Sequence, residues 1–308
     1  MLPWERFWIA LAMEVAVVVA LFPALRCNPP LRLLLLLGVG LICAGAPFVI
    51  APAHHAGRFA IVLIASGLGI KVYDLAREAS AGRVPTLRTY VRFMTNTFWH
   101  VLRRQPPPPR ARGRELMTML VRFPTAAAAL AVAYLVFRID WSRFPFLLEH
   151  AAKVLAVYAV LVPLANGFAA EWRFLGQPAL DTMRHPLLAL TPADFWRRWN
   201  QPTQLFLHAH VFAPAGGWRA PVRATLITFA VSGLAHEYVL GVAAHRVQYV
   251  QLCFFMLQGV AVVATLRLRP RGPAAVAGWA LTLVFNLASS ILFFASVQQI
   301  FPFYVTRN

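Results

Sequence analysis

Residues 222–244 read VRATLITFAVSGLAHEYVLGVAA, and this stretch decides what kind of protein the chain is. About twenty apolar residues in a helix cross the ~30 Å hydrocarbon core of a bilayer. After Arg223, the apolar body carries His236 and Glu237 side by side. Ser232 and His236 stand one turn apart on one face, with Thr225 and Thr228 near the same stripe. A polar stripe on an otherwise apolar span faces protein or a water-filled cavity, because lipid cannot satisfy it. Glu237 points about 100° away, which separates its role from that of His236.

Working outward, seven more apolar runs recur, at residues 7–25, 31–50, 59–75, 117–137, 146–169, 247–266 and 275–297. The 308 residues are 59% hydrophobic and 13% charged, with a mean hydropathy of +0.62, which excludes a water-soluble globular domain. The expected fold is all-α: a polytopic transmembrane helical bundle of about eight spans plus short interfacial helices. Pro124 interrupts one run and predicts a kink, while Lys71 and Asp74 sit near the end of another. No internal repeat is visible, so residues 1–308 are read as one membrane domain whose motif-bearing part covers about 166–244.

The net charge of +18 would suggest nucleic acid in a soluble protein. Here the arginines occupy alternate loops. Twenty lie at 26–32, 77–114, 173–223 and 267–271, against seven Lys/Arg on the other side: Arg6, Arg58, Arg138, Arg143, Lys153, Arg246 and Arg307. The positive-inside rule puts the first set in the cytoplasm and both termini away from it, and it requires an even number of spans. Anionic headgroups, not nucleic acid, are the natural partners of such loops. The longest polar stretch mixes arginines with Leu87, Tyr90, Phe93, Phe98 and Trp99, as in a helix lying in the interface, and ends in the polyproline spacer Pro106–Pro109. Cys27, Cys43 and Cys253 are scattered and lack metal-ligand spacing, which reads as three apolar residues.

Upstream of the opening stretch, residues 191–200 read TPADFWRRWN. Thr191 can cap, Pro192 suits the first helical position and Asp194 favours the positive dipole end. Pro202 limits the helix to two or three turns. Helical spacing places Trp196 with Asn200 on one face, Phe195 with Trp199 on the next, and pairs Asp194 with Arg198. An interfacial anchor, with tryptophan in the headgroup belt and arginine on phosphates, accounts for most of this pattern. Asn200 exceeds it: an amide on the face of a tryptophan offers a donor and an acceptor beside the membrane. His54 and His55 lie in a short loop, and helical geometry sends His208 and His210 to opposite faces. No ligand triad for a metal, nucleophile elbow, phosphate loop or dinucleotide fingerprint is present. Asn286, Ser289 and Ser290 form a small polar patch in the last span, as interhelical hydrogen bonds or as cavity lining.

Together, Asp194-Phe195-Trp196-Arg197-Arg198-Trp199-Asn200 and Ser232-Gly233-Leu234-Ala235-His236-Glu237 resemble the membrane-bound O-acyltransferases, most closely their wax-synthase-like branch. The resemblance covers about 166–238 and takes in Arg173-Phe174-Leu175-Gly176 and His185-Pro186-Leu187. It implies an internal tunnel, His236 as catalytic base and Asn200 as the second catalytic residue. It also implies acyl-CoA as co-substrate, with no other cofactor and no metal, and a lipidic or small-molecule hydroxyl as acceptor. Trp196, Arg197, Arg198, Trp199 and Arg184 then become acyl-CoA-binding candidates, and Ser232, Glu237 and Asn286 candidate cavity-lining residues. A transporter using His236 as a proton relay, or an inactive membrane scaffold, are the competing readings. Few acidic residues within spans and no broken-helix pairs count against the transporter.

Overall fold

A computed structural model describes residues 3–106 and 111–305. Arg307, Arg110 and Pro107 to Pro109 of the polyproline spacer lie outside the described residues. Eleven α-helices follow one another among these: α1 (Pro3–Ala24), α2 (Pro29–Gly45), α3 (His55–Ser80), α4 (Leu87–Thr95), α5 (Arg112–Arg138), α6 (Phe146–Phe174), α7 (Pro192–Arg198), α8 (Gln201–Leu207), α9 (Pro221–Ala244), α10 (Val250–Thr265) and α11 (Pro273–Val297). Seven of them are long and apolar enough to cross a membrane. The eighth expected span is α10, whose 16 residues rise only ~24 Å. It still runs from one face of the bundle to the other, since its first turn bonds to Glu237 and its last residue to the start of α7.

The helices pack as α1–α2–α3, an α5–α6 hairpin, and α9 against both α3 and α10, with α11 on α10. Small residues let backbones approach where lipid gives no hydrophobic drive for helices to associate. A Cβ at Gly167 of α6 would lie 3.0 Å from the Phe123 ring of α5. One at Gly233 of α9 would lie 3.1 Å from Leu252 Cα and Phe255 Cβ of α10, and one at Gly259 would lie 2.9 Å from Phe229 Cβ.

Contacts sort the connections onto two faces, matching the alternation of arginine-rich and arginine-poor loops. On the first, Arg32 donates to the Ala79 carbonyl, Asn96 to that of Pro178, and Arg173 pairs with Glu115 at 2.9 Å. On the second, His55 bonds the Ala243 carbonyl, Tyr304 bonds His150, and Phe59 meets Phe301.

The amphipathic helix expected in the long loop is α4, but its apolar side faces protein. Tyr90, Phe93, Met94 and Trp99 are buried in one cluster with Val17, Leu21 and Leu75. Lys71 explains the docking. Its buried ammonium donates to the carbonyls of Phe93, Met94 and Asn96 at 2.7–2.9 Å, closing the C-terminus of α4 with a charge. Cys43 is also more than an apolar filler, because its thiol donates to Glu14 Oε2 at 3.1 Å.

Candidate active site

The short motif helix α7 starts as its sequence dictates. Thr191 Oγ1 accepts from Asp194 N–H, Pro192 stands in the first turn, and Asp194 accepts from Arg198 Nε at 3.0 Å and from Leu190 N–H. Burial pushes the Asp194 carboxyl up, but the Arg198 hydrogen bond, the Leu190 N–H and the Arg197 charge outweigh it and hold it below the usual carboxylate range. Phe195 and Trp199 stack at 5.6 Å and 16°.

The far end of this helix differs from the expectation. Helix α7 ends at Arg198, Trp199 is extended, and Asn200 turns left-handed at φ 38°. Asn200 is therefore not on the Trp196 face of one helix. It is the N-cap of α8, its Oδ1 accepting from Thr203 N–H at 3.4 Å. Pro202 opens this second helix rather than limiting the first. Asparagine tolerates the left-handed region better than other side chains, which is why this residue type can make the corner. Capping commits its oxygen, while the amide keeps two Nδ2 hydrogens as donors.

His236 stands half-buried in α9, its Nδ1 2.8 Å from the Ser232 carbonyl. A carbonyl only accepts, so Nδ1 carries the hydrogen and Nε2 holds the lone pair. The ring lies 4.3 Å from that of Phe255 and 6.2 Å from Phe293. Phe255 also touches Trp196 at 5.7 Å, so one α10 ring carries both motif halves. The Trp196 indole N–H donates to Gln258 Oε1, and Gln258 Nε2 to Ser289, a polar chain from α7 through α10 to α11. Gly233 sets the spacing, since its missing side chain admits Phe255 against α9.

The other named residues spread out. Ser232 supplies its carbonyl to His236. Glu237 accepts the N–H groups of Gln248, Tyr249 and Gln251, capping the start of α10. Asn286 lines a cavity of about 20 Å³ with Tyr158, Phe195 and Thr282, room for one water. Arg184 and Arg197 are exposed; a backbone hydrogen bond joins Arg184 to Arg198, and Asp194 offsets one of the three positive charges. His208 and His210 sit in a π-helical turn, His208–Phe212, where His210 Nε2 meets Asp74 Oδ1 at 2.7 Å. Phe255 and Gln258 escaped the sequence reading because phenylalanine and glutamine in an apolar run carry no motif. Gln258, buried at membrane depth, was the available signal.

This is a polytopic helical membrane protein in which Phe255 of α10 touches both Trp196 of α7 and His236 of α9, while Asn200 caps α8. Residues 152–298, just under half of the chain, match the model of the membrane-bound O-acyltransferase family. It is also similar to a protein described as probable sterol O-acyltransferase 2 of Schizosaccharomyces pombe, 32% identical over 116 residues. The aligned stretch covers 37% of this chain and 23% of the relative, so the chain matches under a quarter of that protein's length.

Proposed function

We propose that the chain is an acyl-CoA-dependent O-acyltransferase that esterifies a lipidic hydroxyl. The observation that carries this reading is the fixed tautomer of His236, with Nδ1–H on the Ser232 carbonyl and Nε2 left as base. In the proposed reaction Nε2 removes the hydroxyl proton as the oxygen attacks the thioester carbonyl. The carbonyl oxygen becomes negative, and Asn200 Nδ2–H stabilises it. The C–S bond then breaks, and the coenzyme A thiolate takes the proton back from the His236 imidazolium. Membrane burial excludes the water that would otherwise hydrolyse the thioester. Arg184, Arg197 and Arg198 carry the excess positive charge that would draw the coenzyme A phosphates.

The motif pattern favours a long-chain alcohol as acceptor and hence a wax ester. The name of the yeast relative favours a second acceptor class, a sterol. Both acceptors use the same base. Expression in a host that makes no neutral-lipid esters, followed by mass spectrometry of its lipids, decides between them. A new ester that depends on intact His236 supports acyl transfer, and its alcohol moiety names the acceptor. No new ester, with both alcohol and sterol supplied, would contradict the proposal.

A further inference from the structure

The part of the chain outside the family match reaches α8 at a defined point. Asp74, in the last turns of α3, is 1% exposed and gives Oδ2 to Leu102 N–H and Oδ1 to His210 Nε2, both at 2.7 Å. The His210 ring is gripped edge-on by Tyr73 at 5.3 Å and tilted against Phe206 at 4.9 Å. Helix α3 is a firm post here, because one turn earlier Lys71 closes the C-terminus of α4. The helix being gripped is the one that Asn200 caps. Its first residue, Gln201, donates its N–H to the Thr182 carbonyl, and its last turn departs into the π-helical geometry that presents His210 to Asp74. A π turn departs from regular helical hydrogen bonding and is frequent at functional sites.

We propose that Asp74 and His210 are positioning residues: by anchoring the far end of α8 they fix where Asn200 stands. The site is then completed by a residue that lies outside the family-matched region. This rests on the reading of Asn200 as the oxyanion donor. Anchoring matters because a donor displaced by about 1 Å can cost up to ~100-fold in rate.

The test is a double-mutant cycle on purified protein, reading kcat and the KM for acyl-CoA in wild type, Asn200→Ala, His210→Ala and the double variant. His210→Ala is expected to lower kcat about tenfold, with KM within about twofold. In the Asn200→Ala background the same change should have no further effect, since residues acting through one contact are not additive. His210→Gln, which keeps a donor for Asp74, should recover most of the loss. Should His210→Ala not fold, Asp74→Ala takes its place in the cycle, with the same expected fall in kcat and the same absence of a further effect in the Asn200→Ala background. A loss that multiplies with that of Asn200→Ala, or an unchanged kcat in His210→Ala, would overturn the positioning role and leave the transfer reading intact. An unchanged rate in Asn200→Ala would overturn the role of Asn200 and this proposal with it. A wild type that transfers nothing would overturn all three.

Discussion

A histidine works as a base when one ring nitrogen is committed and the other is available, and the Ser232 carbonyl does the committing for His236. His236→Ala should therefore leave an inserted, folded protein and remove nearly all transfer, by about a thousandfold given the usual worth of a positioned base. Turnover of labelled acyl-CoA, with thermal unfolding as the folding control, checks this. Asn200→Ala should cost less, about a hundredfold, because in the proposed reaction one oxyanion donor is lost while the base remains. Glu237 has a different fate. Its carboxylate satisfies three backbone N–H groups at the start of α10, so Glu237→Ala should lower stability by about 3 kcal/mol and affect rate mainly through unfolded protein. Equal thermal midpoints for this variant and wild type would contradict that assignment.

Among the elements, α9 and α10 make the site by touching closely. Gly233→Ala would push a methyl into Leu252 and Phe255, moving the ring on which His236 and Trp196 both rest. An overpacking cost of about 1–3 kcal/mol and a fall in kcat are expected, read by thermal midpoint and turnover. The loop after α4 supplies a pH dependence. Burial, reinforced by the Lys71 charge, lowers the His100 imidazole to about 4, against carbonyl contacts from Thr97 and Pro202 that act in the other direction. The folded state thus resists a proton that the unfolded chain accepts near 6.5, so stability falls as pH drops from about 6.5 towards 4. A His100→Gln variant should lose less of its thermal midpoint than wild type between pH 7 and 5. An identical loss in both would remove His100 from the account. The helices themselves were legible in the sequence because bilayer thickness imposes length and apolarity on each. The corner at Asn200 was not, because helical spacing cannot show that a chain turns left-handed between Arg198 and Gln201. The docking of α4 was hidden too: its moment is the same whether lipid or Leu75 receives Tyr90 and Phe93.

Over the whole molecule, contacts sort the loops onto two faces as the arginines do, and we propose from the positive-inside rule that the arginine-rich face is the cytoplasmic one. With the native cysteines replaced, cysteine at position 271 should react with an impermeant maleimide only from the cytoplasmic side, and cysteine at 143 only from the other. The reverse pattern would invert the orientation. The site also spans more of the chain than its motifs, since α3 grips α8 through Asp74 and α11 reaches Trp196 through Ser289 and Gln258. Only the two motif halves could be read in advance, because a contact between distant helices leaves no local pattern. A histidine base for acyl transfer can be read by reconstituting wild type and His236→Ala in liposomes with labelled acyl-CoA and a long-chain alcohol or sterol, and measuring labelled ester. Ester is expected from wild type and almost none from the variant; equal ester from both would rule out His236 as the base.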